Sequence, residues 1–215
     1  MSRLRQIPAR RPRGEGGFTL PELLVTVAIL GIIAPALAGV LISYLKTTAS
    51  TQSRITESHD VQFTTAYWQR DVASIGVRAF DPSTKTFPLQ QSVGVTPACS
   101  LPTHDTRVIT LAWSEYDQGD LDATSTPTTV TVSYLDTVAD GVHTLTRVRC
   151  DGGTVTSTVD VADSLLAVPT ATCDGGACGG AGAPDEVTLS LEARDVSGGS
   201  TTSYTAELRG ERRQS

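Results

Sequence analysis

The sequence predicts an α+β protein in which one long N-terminal helix precedes a domain of antiparallel strands. Residues 18–45 form an apolar run, FTLPELLVTVAILGIIAPALAGVLISYL, in which Glu22 is the only charged residue. Beyond about residue 80, branched and aromatic residues alternate with polar ones, as they do in half-buried strands. A chain of 215 residues with 39% apolar content can bury one modest core. We therefore expect one globular domain, residues 77–215, besides the helix.

The apolar run is long enough to cross a membrane. Its 28 residues would form a helix about 42 Å long, whereas a hydrocarbon core is ~30 Å thick. Residues 1–17 carry five arginines and one acid without apolar periodicity, which predicts a leader. Because basic residues favour the cytoplasmic side, we expect a single-pass protein of the cytoplasmic membrane with a cytoplasmic N-terminus and an exported C-terminal domain.

Residues 46–76 are more polar and predict an amphipathic helix that packs on the domain. Gly76 is a plausible C-terminal stop for this helix. Trp68 and the later Trp113 are expected to be core anchors. The apolar stripe of this helix recurs at spacings of seven, four and three residues: Val61, Trp68, Val72 and Ile75.

The domain is predicted to consist of strands joined by Gly, Asp and Pro turns. The predicted strands are Arg107–Tyr116, Thr128–Leu135, His143–Cys150, Glu186–Ala193 and Ser203–Leu208. The predicted loops are residues 81–104, 117–127 and 174–185.

The charge balance argues against nucleic acid as a direct partner. Without residues 1–17 the chain has 12 basic and 22 acidic residues, a net charge of −10. An acidic surface repels phosphates, so we expect no direct nucleic-acid binding.

The four cysteines all follow the apolar run, and an even count in an exported domain indicates two disulfides with three possible connectivities. We favour Cys173–Cys178 as a tight loop and Cys99–Cys150 as a staple across the domain. A metal site is the alternative for Cys173 and Cys178, but no CxxC pair or histidine stands nearby.

Two acidic loops are candidate calcium sites. Asp117, Asp120 and Asp122 lie in the sequence DQGDLD, but the spacing does not fit an EF-hand. Asp174, Asp185 and Glu186 form a second, equally unspecific group. Loops of this composition are usually turns, so we expect no metal and no cofactor.

Catalysis is not expected from this sequence. His59, His104 and His143 fall in different segments, and there is no HExxH, GxSxG or phosphate-binding glycine loop.

Glu22 is the most informative residue of the apolar run. A lone carboxylate in a membrane helix costs roughly 2.5–3.5 kcal/mol on insertion scales, so it indicates a functional role.

The string Gly16-Gly17-Phe18-Thr19-Leu20-Pro21-Glu22 before an apolar run resembles the processing site of type IV prepilins and type II secretion pseudopilins. The resemblance implies that a prepilin peptidase cuts after Gly17 and methylates the amine of Phe18. It places Glu22 at the acidic fifth mature position, where it would meet the Phe18 amine of a neighbouring subunit. The implied partners are the prepilin peptidase, an inner-membrane assembly platform, other pilin subunits and membrane lipid.

Pro35 interrupts the helical hydrogen-bond ladder in mid-span. Together with Gly31 and Gly39, it predicts a place where the helix kinks or breaks on assembly.

The subclass suggested by resemblance is a larger minor pseudopilin, such as the J-type subunits and their competence and minor-pilin relatives. Gln69-Arg70-Asp71 at the end of the amphipathic helix and the strand segment Thr144–Arg147 carry that likeness.

Three other interpretations remain open. Ala36-Leu37-Ala38 before Gly39 fits a secretory cleavage site. The run could instead be an unprocessed anchor. A membrane-anchored or secreted adhesin-like binding domain would share the acidic, disulfide-bearing surface, and only a filament subunit would require Glu22.

Overall fold

The structure is a computed structural model that describes residues 17–103, 105–116, 127–180, 182–194 and 203–213. The chain forms two compact units, Met1–Thr47 and Thr48–Ser215. Most of the predicted leader, His104 and the DQGDLD loop lie outside the described residues.

The two predicted helical segments form one helix, α1, at Leu20–Ser74. The helix ends just before the predicted stop at Gly76. Gly76 has φ 148°, a conformation that side-chain-bearing residues rarely adopt. Its N–H donates to the carbonyl of Ala112 at 3.0 Å, so the chain passes directly from the helix into a contact with the sheet.

Within the described residues, ten strands follow the helix, and they include all five predicted ones. Their bounds are β1 Val77–Arg78, β2 Leu89–Gln90, β3 Thr106–Glu115, β4 Thr128–Ala139, β5 Val142–Asp151, β6 Thr154–Leu165, β7 Thr170–Cys173, β8 Gly176–Ala177, β9 Glu186–Arg194 and β10 Ser203–Glu211.

The strands β1, β6 and β7 were not predicted from sequence, and β2 and β8 lie in predicted loops. Most of β6 is exposed or half-buried, and only Val161, Ala162 and Leu165 near its end are buried. A strand of Thr, Ser and Asp that reaches the core only at one end has no clear apolar alternation.

The main sheet has eight strands in the order β3-β4-β5-β6-β9-β7-β8, with β10 paired to β9. All of its strand pairs are antiparallel. The β6 and β7 strands follow one another along the same side of β9, and β10 lies on its other side. This antiparallel sheet and the helix packed on it confirm the α+β fold.

The second half of α1 packs on the sheet through the predicted stripe. Trp68, Val72 and Ile75 are fully buried, and Val61 packs against the same core. The indole N–H of Trp68 donates to the carbonyl of Val187 on β9 at 3.2 Å. Thr64 donates its hydroxyl to the carbonyl of Val161 on β6 at 2.7 Å. The helix is therefore attached to the sheet by polar contacts as well as by apolar burial.

The structure contains two disulfides, in the pairs favoured from sequence. Cys99–Cys150 spans 51 residues and ties the segment before β3 to β5, where Cys150 is fully buried beside Leu135 and Val148. Cys173–Cys178 spans five residues and closes the β7–β8 hairpin.

Candidate processing and assembly segment

The helix α1 begins immediately after Gly17-Phe18-Thr19, a tripeptide without regular secondary structure. The carbonyl of Thr19 accepts the N–H groups of Glu22 and Leu23, at 3.0 and 3.2 Å. Pro21 lies in the first turn, where a backbone N–H has no helical acceptor, so its missing donor costs nothing there. The helix start thus leaves the Gly17–Phe18 peptide outside the hydrogen-bonded turns.

The Gly17–Phe18 peptide is accessible. Phe18 is 83% exposed. A Cβ placed on Gly17 would meet no atom within 4 Å. An uncovered peptide outside regular secondary structure suits a protease, which must bind its substrate as an open strand.

Every side chain from Leu20 to Thr48 is exposed, and this stretch is long and apolar enough to cross a membrane. Its apolar residues cover all sides of the helix. A helix that is apolar all round needs lipid or other apolar helices around it. Within the first unit, no other part of the described chain supplies that cover.

Glu22 lies in the first turn of α1, where the positive end of the helix dipole favours a carboxylate. Its side chain is exposed. Its backbone carbonyl accepts the hydroxyl of Thr26 at 2.7 Å, which satisfies a polar group that would otherwise face lipid. The Glu22 carboxylate is thus available to a partner outside the chain.

Pro35 lies inside α1, and the helix continues through it. A Cβ added at Gly31 or Gly39 would meet no atom within 4 Å, so the helix surface is uncovered at both positions. The predicted break concerns the assembled filament, and it stays a prediction.

Residues 12–34 match the family described as the prokaryotic N-terminal methylation motif. This match contains Gly17, Phe18, Glu22 and the first half of the exposed span. The match covers 23 of the 215 residues, so it makes the N-terminal segment similar to that of type IV prepilins and pseudopilins. In such proteins this motif implies processing by a prepilin peptidase and assembly with other pilins. Comparisons with curated proteins and with solved structures find no match.

In the second predicted acidic loop, the carboxylate of Asp174 binds backbone groups of the same loop. Asp174 Oδ1 accepts the N–H groups of Asp185 and Glu186, at 3.1 and 2.9 Å. Asp185 also pairs with the guanidinium of Arg212. These contacts hold the turn of the β7–β8 hairpin against the start of β9, so the loop has a structural role.

The described histidines occupy separate environments. His59 stacks on Phe63 of the same helix, with ring centroids 5.8 Å apart. His143 Nδ1 lies 2.9 Å from the buried carboxylate of Asp136 on the neighbouring strand β4. The His143–Asp136 pair links β5 to β4 near the turn that joins these two strands.

Sequence reasoning missed a buried polar cluster between α1 and the sheet. Asp71 on α1 accepts from Arg147 Nε at 2.6 Å and from Arg147 Nη2 at 2.8 Å. Tyr134 on β4 donates its hydroxyl to the same carboxylate at 2.8 Å. The Arg147 guanidinium also lies 5.1 Å from the ring centre of Tyr67. All three hydrogen-bonded side chains are buried.

The cluster changes the protonation behaviour of its members. Burial, together with the negative charge of Asp71, raises the pKa of Tyr134 well above its usual range. Burial alone would lower the pKa of Arg147, but its bonds to Asp71 and the charge of that carboxylate raise it above the ordinary value. Tyr134 therefore stays a neutral donor and Arg147 a cation across the physiological range.

A sequence signal for this cluster existed. Asp71 lies three residues after the stripe residue Trp68, on the same face of the helix, and Arg147 shares the strand face of buried Leu145. A charged residue at a core-facing position in each of two elements indicates a buried ion pair.

Proposed function

We propose that this protein is a structural subunit, a minor pilin or pseudopilin, of a type IV pilus-like filament assembled from the cytoplasmic membrane. Cleavage between Gly17 and Phe18 produces the mature chain, and the Phe18 amine is methylated. The observation that carries the proposal is the fully exposed apolar stretch of α1, Leu20–Thr48, which begins just after an accessible Gly-Phe peptide and contains one acid in its first turn.

The exposed apolar stretch of α1 would be covered first by lipid and then by other subunits. Before assembly, lipid covers its apolar side chains, with the domain on the exported side of the membrane. After assembly, the same side chains pack against the corresponding helices of neighbouring subunits. Both environments exclude water, and both match the apolar surface that the helix presents on every side.

The role of Glu22 is to set the stagger between subunits. Cleavage creates a positive amine at Phe18, and a water-poor filament core makes an unpaired charge costly. The Glu22 carboxylate of one subunit pairs with the Phe18 amine of the next. The pair contributes mainly to register, because desolvation offsets much of its attraction.

The subclass rests on the domain. Asp71 and Arg147 belong to the two segments that resemble larger minor pseudopilins, and these residues hold α1 on the sheet. A subunit of this kind works near a filament tip, with an inner-membrane platform and other pilins as partners.

The first experiment is the intact mass and N-terminal sequence of the protein from membranes of its native host. A chain that begins at N-methylated Phe18 supports the proposal. A chain that begins at Gly39 indicates ordinary secretory cleavage, and one that begins at Met1 indicates a simple anchor. Either of these rejects the filament subunit in favour of a binding module.

A second experiment separates assembly from anchoring. Glu22→Val removes the carboxylate and makes the span more apolar, so membrane insertion should persist while incorporation into sheared filaments falls. Thr26→Val is the matched control, because it removes a polar group one turn later without changing charge. If Glu22→Val enters filaments as well as Thr26→Val does, the proposed register role is wrong.

A further inference from the structure

The strand β10 is an open edge of the main sheet. Among the described residues it pairs with β9 alone, in an unbroken register from Ser203↔Arg194 to Glu211↔Glu186. An edge of nine residues presents a row of backbone donors and acceptors to any strand that can lie beside it. Which residues supply those groups follows from the neighbouring hydrogen bonds.

The direction of the backbone groups alternates along β9 and β10. The carbonyls of Glu186 and Glu192 accept from the β6–β7 side of β9, so the even-numbered residues of β9 point away from β10. Odd-numbered residues of β9 therefore bond to their even-numbered partners on β10. The bond from Arg212 N to the Asp185 carbonyl continues this pattern.

The odd-numbered residues of β10 consequently point their N–H and C=O groups to the open edge. These residues are Ser203, Thr205, Glu207, Arg209 and Glu211. The next odd residue, Arg213, donates its N–H to the carbonyl of Ala73 on α1 at 3.2 Å. The helix thus closes the edge after Glu211 and leaves the preceding residues available.

The edge carries charges of alternating sign. Glu207 and Arg209 have side chains that are 58% and 65% exposed, and they approach each other at 3.4 Å. Glu211 is exposed as well. Charged edges usually discourage pairing. Alternating signs, however, repel in some registers and attract in others, so this edge can select a particular partner.

One antiparallel register of a second copy of β10 combines opposite charges with the free backbone groups of this edge. With a two-fold axis at Leu208, Glu207 of each copy lies opposite Arg209 of the other, and both are outward-pointing residues that form hydrogen-bonded pairs. The pairing then covers residues 205–211 and ends before Arg213, whose N–H α1 already uses. An axis at Gly210 leaves only Arg209 and Glu211 to pair before it reaches Arg213, and an axis at Ala206 brings no opposite charges together. An axis at Glu207 or Arg209 places like charges opposite each other.

We propose that β10 is a homotypic docking edge through which two copies of this chain pair antiparallel about Leu208. Such a pair joins two eight-stranded sheets into one continuous sheet, and the buried face of Leu208 remains on the core side. The contact is isologous and closes on itself, so it is separate from the repeating contacts of a filament.

The contact between two β10 strands is small, but anchoring both copies in one membrane favours its formation. A single strand pair covers less surface than the ~1,200 Å² of a stable complex. Two copies held in the same membrane meet at a raised effective concentration, which favours weak contacts. The experiment therefore uses the full chain in native membranes or in proteoliposomes.

Cysteine cross-linking tests the register. All four native cysteines are in disulfides, so an added thiol is the only free one. Thr205 of one copy lies opposite Glu211 of the other, at the Cα separation of about 5.5 Å that a disulfide accepts. Differently tagged Thr205→Cys and Glu211→Cys chains should cross-link when mixed. The matched control is Thr205→Cys alone, whose thiols lie far apart in this register. The proposal is wrong if the mixture does not cross-link, or if it cross-links no more than Thr205→Cys alone.

Charge exchange tests the chemistry of the edge in the same cysteine backgrounds. Glu207→Arg or Arg209→Glu alone places like charges opposite each other, and each should lower the cross-linked fraction roughly tenfold. A mixture of the two variants restores opposite charges in the mixed pair, so cross-links should return between differently tagged chains only. If the single variants lose the cross-link and their mixture does not restore it, the proposed pairing of two β10 strands is wrong. Cross-links to a different protein in place of the second copy overturn it as well.

Discussion

The carboxylate of Asp71 on α1 accepts two hydrogen bonds from the guanidinium of Arg147 on β5, and both side chains are buried. The helix residue is thereby fixed to the middle of the sheet. Tyr134 adds a third bond to the same carboxylate. Such a pair is costly to desolvate but sets one position of the helix, because any sliding leaves a buried charge alone.

Breaking this pair should be strongly destabilising. Arg147→Met leaves the buried Asp71 carboxylate with only the exposed guanidinium of Arg70, 3.8 Å away, and we expect a loss of about 3–5 kcal/mol in the free energy of unfolding. Urea unfolding of the full chain in detergent measures it. The double variant Asp71→Leu with Arg147→Met removes both charges and should be closer to wild type than Arg147→Met. A double variant that is less stable than Arg147→Met would contradict this account.

Gly210 on β10 allows the closest approach between the sheet and α1. A Cβ at this position would lie 2.6 Å from the Cβ of Val72. Gly210→Ala should therefore cost about 1–3 kcal/mol, since the helix or the strand must shift. The control is Gly176→Ala, where the nearest atom is 3.7 Å away. Thermal unfolding should distinguish the two variants, and equal melting temperatures would exclude the contact.

The two disulfides should contribute unequally to stability. Cys99–Cys150 closes a loop of 51 residues and Cys173–Cys178 one of five. Loop-closure entropy then gives about 4 kcal/mol for the first and about 2 kcal/mol for the second. Paired alanine substitutions with chemical denaturation measure this order. The reverse order would show that the hairpin disulfide holds more structure than its loop length implies.

Asp163 should make stability depend on pH. Burial, then the charges of Asp60 and Asp160, raise the pKa of Asp163 above 3.8 in the folded protein. The folded state therefore holds its proton more tightly than the unfolded state, so this residue lowers stability as pH rises from about 3.8 through the folded pKa. The side chain is largely exposed, so the effect is limited to about 0.5 kcal/mol.

Asp163→Asn tests this dependence. At neutral pH the variant should be slightly more stable than wild type, and the difference should disappear in acid, where Asp163 is protonated. Unfolding curves at a series of pH values measure it. A variant that is less stable at neutral pH would show that the carboxylate makes a net favourable contact.

The local features of the chain could be predicted from sequence because each depends on residues near one another. The apolar run with Glu22 gave the long helix, and the stripe through Trp68 gave the face that packs on the sheet. Five strands followed from alternation. The strands β6 and β7 could not be predicted in this way, because their pairing is decided by neighbours from distant parts of the chain.

The sequence by itself determined the processing motif, the span and the α+β class. Only the tertiary structure decided that Asp71 meets Arg147, that Gly210 meets Val72, and that β10 is left at an edge. Hydrophobic periodicity records whether a side chain is buried, but not which distant residue lies opposite it. Partners 76 residues apart, like Asp71 and Arg147, are fixed by strand order and helix position, which the folded chain settles as a whole.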